Sequence, residues 1–222
     1  MLDERVARTC DEWLARDKLV GLVGGDHSAA FGAIEAHARR WPGLGILHFD
    51  AHADLRPAYE GFTGSHASIM CNVVTRVPEV SRIVQVGLRD LSEEEHQTIV
   101  GSQGRLVAFF DGDITRRLFD GEPFSRIASD IVESLPEQVY VSFDIDGLDP
   151  ALCPGTGTPV PGGLSFQQAV AVLARVVASG RTIVGFDLCE VAPGPPGDEW
   201  NANAGARILY KLIGFALLSQ AA

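Results

Sequence analysis

Asp50, His52 and Asp54 stand at every second position of the stretch Gly45 to Arg56, directly after the apolar run Gly45-Ile46-Leu47-His48-Phe49. On an extended chain residues i, i+2 and i+4 point the same way, so one strand end can aim two carboxylates and an imidazole at a single point. Acidic residues also gather after strands for solubility and capping, and D-x-H-x-D alone leaves that reading open. The same order of apolar run and then polar ligand occurs twice more. Leu19 to Val23 leads into Gly24-Gly25-Asp26-His27-Ser28, and Val139 to Phe143 leads into Asp144-Ile145-Asp146. In an open parallel α/β sheet the carboxyl ends of neighbouring strands face one crevice, so three such ends can bring together His27, Asp50, His52, Asp54, Asp144 and Asp146. Four carboxylates and two imidazoles without a thiolate form a hard O/N donor set that suits Mn(II), with Zn(II), Co(II) or Fe(II) able to compete. Six protein ligands are too many for one catalytic ion with an open position. Two ions fit better, and such a pair lowers the pKa of a shared water toward neutrality.

The elements that must carry these residues follow from the apolar pattern. Leu2 to Lys18 has Leu2, Val6, Cys10, Trp13 and Leu14 at helical spacing and reads as an amphipathic helix. Strands are expected at Leu19 to Val23, Gly45 to Phe49, Ser81 to Leu88, Leu106 to Phe110, Val139 to Phe143 and Thr182 to Phe186. Helices are expected at Ala29 to Arg40 with Ser28 as cap, His66 to Val77, Glu93 to Val100, Pro123 to Leu135, Phe166 to Ser179 capped by Ser165, and Asn203 to Leu218. Six strands alternating with helices imply a three-layer α-β-α arrangement around a mainly parallel sheet. No repeat or composition break divides residues 1–222, so a single domain is expected. Gly147 to Gly163, with four prolines and five glycines, is an irregular loop long enough to serve function. His37 is placed on a polar helix face, His48 inside its strand beneath the site, and His96 on a solvated face after three glutamates. None of the three is assigned to metal.

With 222 residues, 46% hydrophobic and 21% charged, the chain can bury a sizeable core. Its formal charge of -11 argues against nucleic acid or an anionic membrane as partner. Cys10, Cys71, Cys153 and Cys189 form no C-x-x-C pair and nothing resembles a secretory signal, so a cytoplasmic setting is expected. No apolar run approaches the ~18 residues of a membrane span.

Gly24-Gly25-Asp26-His27-Ser28, Asp50-Ala51-His52-Ala53-Asp54 and Ser142 to Pro150, in that order, resemble the three signatures of the arginase and agmatinase ureohydrolases. Gly155 to Pro159, Glu190-Val191-Ala192-Pro193 and Gly205-Ala206-Arg207 extend the likeness, which covers the chain from about Val20 onward. The resemblance implies an arginase/deacetylase-like fold, two Mn(II) per chain and hydrolysis of a guanidino compound to urea and an amine. It implies that Asp50 and Asp144 bridge the ions, that His27 and Asp54 complete one site, and that His52 and Asp146 complete the other. Glu190 matches the residue that pairs with the guanidinium, for which a carboxylate is suited, and His66 the histidine that shuttles a proton to the leaving amine. Glu190 could instead be a surface glutamate, and His66 could merely cap its helix.

Arg56 and Ser92 stand where arginases read the amino-acid head, so the resemblance is closest to agmatinases acting on agmatine. Arginase, guanidinobutyrase and formiminoglutamase activities are the alternatives. Arg56 could bind a substrate carboxylate or pair with Glu60 or Asp90. Relatives of this kind begin with a further segment carrying two strands, so the chain reads as N-terminally short. Leu19 to Val23 would then lie at a sheet edge, where a homo-oligomer contact is expected. An inactive fragment or non-catalytic scaffold of the same fold is the reading from another class.

Overall fold

A computed structural model describes residues 2–221. Helix α1 (Leu2–Leu14) precedes β1 (Val20–Val23), a 3-10 turn at His27–Ala30 and α2 (Phe31–Arg40). Strand β2 (Leu44–Phe49) is followed by a long loop, a 3-10 turn at His66–Ser68, α3 (Ile69–Arg76) and β3 (Val80–Leu88). Then come α4 (Glu93–Gly101), β4 (Leu106–Phe110), α5 (Asp111–Phe119), α6 (Phe124–Glu133) and β5 (Gln138–Asp144). A 3-10 turn at Ile145–Gly147 opens the loop to α7 (Phe166–Ala178), and β6 (Thr182–Cys189) and α8 (Trp200–Gln220) close the fold.

The six strands form one parallel sheet in the order β1-β6-β5-β2-β3-β4. Strands β2 and β5 are buried along almost their whole length, as expected for parallel strands covered on both faces. On one face Leu44, Ile46, Ile83 and Tyr140 pack with Ile34 of α2, Met70 of α3 and Cys10 of α1. On the other, Leu47, Phe49, Val84 and Phe143 pack with α5 to α8 through Ile114, Ile131, Leu173 and Ile208. From β2 the chain winds outward to β3 and β4, and from β5 it winds the other way to β6. The connections therefore diverge between β2 and β5, and a crevice opens at their carboxyl ends.

Most expected elements form, with corrections at particular residues. Asp26, not Ser28, caps the turn after β1: its side chain accepts a hydrogen bond from the Ser28 backbone N–H at 2.9 Å. Helix α5 was not anticipated, because Asp111-Gly112-Asp113 looks like a turn although its acidic residues suit a helix N-terminus. Helix α1 stops at Leu14, and the helix expected from His66 begins as a 3-10 turn. His37 is fully buried, with Nδ1 2.7 Å from the Ala33 carbonyl and its ring against Tyr140, so it does not lie on a polar face. Glu95 is also buried. It completes a capping box with Ser92 and accepts a bond from the Leu55 N–H at 3.0 Å. Among the described residues strand β1 lies at the edge of the sheet, paired only with β6, and Val23 remains 63% exposed.

Two close approaches set the crevice. A Cβ on Gly147 would come within 2.8 Å of the Asp50 backbone nitrogen and 3.0 Å of the Phe49 carbonyl carbon, so only glycine lets the turn after β5 lie against the end of β2. Arg89, just beyond β3, donates to the carbonyls of Asp146 at 2.6 Å and Val160 at 3.0 Å, pinning the loop after β5 across the same end of the sheet. Gly147→Ala is expected to cost about 1–3 kcal/mol through overpacking. Thermal denaturation would show it as a lower Tm, and an unchanged Tm would mean that the two backbones can separate freely.

Candidate metal centre and the pocket beside it

His27, Asp50, Asp54 and Asp144 meet at one point. His27 Nδ1 lies 3.3 Å from Asp50 Oδ2, 3.4 Å from Asp54 Oδ2 and 3.2 Å from Asp144 Oδ2. A second cluster adjoins it, where His52 Nδ1 lies 3.4 Å from Asp50 Oδ1 and 3.1 Å from Asp146 Oδ2. Asp50 belongs to both, one oxygen facing each. The chain thus brings all six residues singled out from sequence to the carboxyl ends of β1, β2 and β5. Two backbone contacts fix the carboxylates: Asp146 Oδ1 accepts from the Ala51 N–H at 3.0 Å, and Asp144 Oδ1 accepts from the Asp146 N–H at 2.9 Å. Asp54 reaches the cluster from a left-handed backbone conformation at φ 55°, an arrangement uncommon for a non-glycine residue and concentrated at functional sites.

The donors fit a pair of divalent ions. His27 Nδ1 is buried and has no hydrogen-bond partner among the described residues, although three carboxylate oxygens surround it. Ligand atoms about 2.0–2.2 Å from a common ion stand about 3.0–3.5 Å apart, which is the spacing found here. Protonation tells the same story. Burial and then repulsion from Asp50 push Asp54 up to about 6 and Asp144 well above the usual carboxylate range. Burial works against a charged His52, but Asp146 and Asp50 outweigh it and lift the imidazole to about 11. The protein atoms alone balance the crowded carboxylates by drawing protons onto them and onto the imidazoles, and divalent cations would replace those protons.

Around the clusters lie Ser142, Asp187 and Gln85, to which sequence reasoning gave no role, and His48, which it placed beneath the site. His27 Nε2 is 2.9 Å from Ser142 Oγ and 3.6 Å from the fully buried Asp187. Asp187 interrupts the apolar run of β6, and a carboxylate there was a readable signal. His48 Nε2 lies 2.9 Å from Asp50 Oδ2, and Gln85 reaches the other side of that ring.

A small pocket of about 120 Å³ opens from the second cluster, lined by His52, Asp54, Arg56, Tyr59, His66 and Thr158 among others. His66 is half-exposed, with Nδ1 3.3 Å from Asp26 Oδ2. Arg56 meets neither Glu60 nor Asp90: its Nε lies 3.6 Å from Glu95 Oε2, and its guanidinium stands 5.5 Å from the Tyr59 ring centre. Glu190 sits past the end of β6 at φ 64°. Its Oε1 accepts the His27 backbone N–H at 2.7 Å, and burial raises its pKa.

The arginase-family profile matches residues 2–214. The chain belongs to the arginase family. Among its relatives, the N(1)-aminopropylagmatine ureohydrolase of Thermus thermophilus is 36% identical over 201 residues, covering 90% of this chain and 64% of that protein. The agmatinase of Halalkalibacterium halodurans is 31% identical over 215 residues, covering 95% of this chain and 68% of that one. A crystal structure described as a hypothetical agmatinase from Burkholderia thailandensis superposes with a TM-score of 0.82 at 27% identity, over 99% of this chain and 66% of that one. This arginase-family chain therefore spans 64% of the length of the Thermus relative. No described helix is long and apolar enough to cross a membrane.

Metal analysis should find two divalent ions per chain, with Asp50→Ala losing both because each cluster shares that side chain. Retention of either ion at full occupancy in Asp50→Ala would break the shared-ligand assignment. Uptake must displace protons from Asp54 and Asp144 and from the imidazoles of His27 and His52, all of whose pKa values are raised, so apparent affinity should strengthen as pH rises through about 6 and go on strengthening above it. Calorimetry at pH 5.5 and 7.5 reads this directly. Equal affinity at both would contradict it.

Proposed function

We propose that the chain is a metal-dependent hydrolase of a guanidino compound, releasing urea and an amine, with agmatine cleaved to putrescine and urea as the leading case. The observation that carries this is the pair of carboxylate–imidazole clusters sharing Asp50 and opening onto a pocket that holds His66. Membership in the arginase family and relatives named agmatinase and aminopropylagmatine ureohydrolase support it. Asp50 and Asp144 would be shared by the two ions, with His27 and Asp54 completing one site and His52 and Asp146 the other. Manganese suits this hard donor set. When bound, the ions supply Lewis acidity and an activated water.

The remaining work falls to the chain's own residues. Glu190 offers a carboxylate to the planar guanidinium, which it can meet in a bidentate pair. Its hydrogen bond from the His27 N–H ties that carboxylate to the first cluster. His66, oriented through Nδ1 by Asp26, can present Nε2 to the pocket and hand a proton to the departing amine. Residues 1–222 act as a single domain in this reading, in a cytoplasmic homo-oligomer.

A second reading has a specific observation behind it. Arg56 lines the pocket and meets Glu95 through Nε, so a substrate whose tail carries a carboxylate, such as guanidinobutyrate or formiminoglutamate, could be held there.

Urea or formamide release should be compared across agmatine, arginine, guanidinobutyrate and formiminoglutamate. Agmatine is expected to rank first, with Arg56→Met leaving its KM within about threefold because the agmatine tail has no carboxylate to lose. A carboxylate-tailed substrate ranking first, and losing affinity in Arg56→Met, would replace the first reading with the second. No release from any of them by metal-loaded protein would point to a non-catalytic scaffold.

Glu190→Gln is expected to lower kcat/KM by about 10–100-fold, the worth of a charged hydrogen-bonded partner. His66→Asn is expected to lower kcat by about 100-fold or more with metal content unchanged. Should His66→Asn lose metal instead, His66 is a ligand and the proton-transfer role is wrong.

A further inference from the structure

His48 and Gln85 are both fully buried, and neither has a part in the function proposed above. They stand opposite each other in the register of β2 and β3, on the face covered by α1 to α4. His48 lies close enough to His27, Asp50 and Asp54 to be counted as a candidate further ligand of their cluster, since the donor atoms of these four residues fall within 4.8 Å of one another. Its role turns on which ring nitrogen carries the proton.

The Ala53 carbonyl decides this. A carbonyl oxygen only accepts, so the Gln85 side-chain atom 2.8 Å from it is the amide nitrogen. That same nitrogen lies 3.0 Å from His48 Nδ1. One amide hydrogen goes to Ala53 and the other to the ring, so Nδ1 must offer its lone pair. In the neutral imidazole the proton is then on Nε2, 2.9 Å from Asp50 Oδ2. The opposite amide orientation would set Gln85 Oε1 against the Ala53 oxygen. The orientation present leaves Oε1 buried without a partner among the described residues, a cost accepted at a site where both amide hydrogens are used.

We infer that Gln85 and His48 form a fixed donor relay, from Gln85 Nε2 to His48 Nδ1 and from His48 Nε2 to Asp50 Oδ2, that orients the carboxylate shared by both clusters. His48 is a positioning residue and not a ligand. One of its nitrogens is occupied by a donor, and the other carries the proton. The Nε2–H takes one lone pair of Asp50 Oδ2 and leaves the other directed at the point where His27 Nδ1, Asp54 Oδ2 and Asp144 Oδ2 converge. The His52 N–H, 2.6 Å from Asp50 Oδ1, fixes the opposite oxygen in the same way. Both oxygens of the shared carboxylate are thus held by a hydrogen bond before any cation arrives, which is the arrangement by which outer groups orient a metal ligand.

This inference rests on the metal reading of the clusters, and two measurements separate the two. The first is ¹⁵N NMR of the imidazole side chains in metal-free protein near neutral pH. His48 is expected to show a protonated Nε2 and an unprotonated Nδ1. A proton on Nδ1 would overturn the relay whatever the clusters bind. The second is Mn(II) affinity by electron paramagnetic resonance. Gln85→Met and His48→Leu are expected to weaken it about 10–100-fold, whereas His48→Gln, which can place an amide N–H where Nε2–H stood, recovers most of it. Circular dichroism guards against a lost fold. Should both disruptive variants fold and bind Mn(II) as tightly as wild type, the positioning role is overturned. Should wild type bind no Mn(II), the metal reading falls and the affinity role with it, while the NMR result still decides the relay.

Discussion

Four aspartates crowded into one crevice repel one another, and the fold is arranged so that they cannot move apart. Asp50, Asp54 and Asp144 converge on His27, and Asp146 stands beside His52. Each is buried where water cannot screen it. Holding them there requires a rigid frame, and a parallel sheet covered on both faces provides one. The ligands come from the ends of strands that are themselves locked by neighbours. Gly147 lets the β5 turn press against Asp50, Arg89 ties the following loop down, and the backbone N–H groups of Ala51 and Asp146 donate to the carboxylates of Asp146 and Asp144. Electrostatic strain at the centre is contained by packing and hydrogen bonds around it.

The parts of this arrangement that were legible in the sequence are those set by local pattern. An apolar run ending in alternating acidic and imidazole side chains marks both a buried strand and the direction in which its last residues point. That sufficed for His27, Asp50, His52, Asp54, Asp144 and Asp146 to be named together and for the alternation of strands and helices, whereas the edge position of β1 was expected from the family resemblance. Family resemblance, and not pattern, drew attention to Glu190 and His66.

What escaped reading depends on contacts between distant residues. His37 looks polar among its neighbours on α2, yet it fills the space over Gly185, where a Cβ would collide with its ring. Glu95 is one of three consecutive glutamates, and only the fold shows that it turns inward to cap α4 and meet Arg56 while Glu93 and Glu94 stay outside. The pairing of His48 with Gln85 is a matter of register between strands 37 positions apart. Helix α5 was hidden by a glycine between two aspartates. For His37, Glu95 and His48 the determining partner lies elsewhere in the chain, beyond the reach of spacing or periodicity, whereas α5 was obscured by its own first residues.

His27 faces two ways, and this has a thermodynamic corollary. Its ring reaches the first cluster while its own backbone N–H holds Glu190 Oε1. With the roles proposed for these residues, an ion that fixes the His27 ring also fixes the peptide that positions the guanidinium's partner, and a bound guanidinium steadies the same peptide from the other side. Free energies of this kind are reciprocal: whatever factor the ion contributes to substrate affinity, the substrate returns to ion affinity. One histidine would thereby couple retention of the metals to retention of the substrate, with cations held more weakly when no substrate is bound.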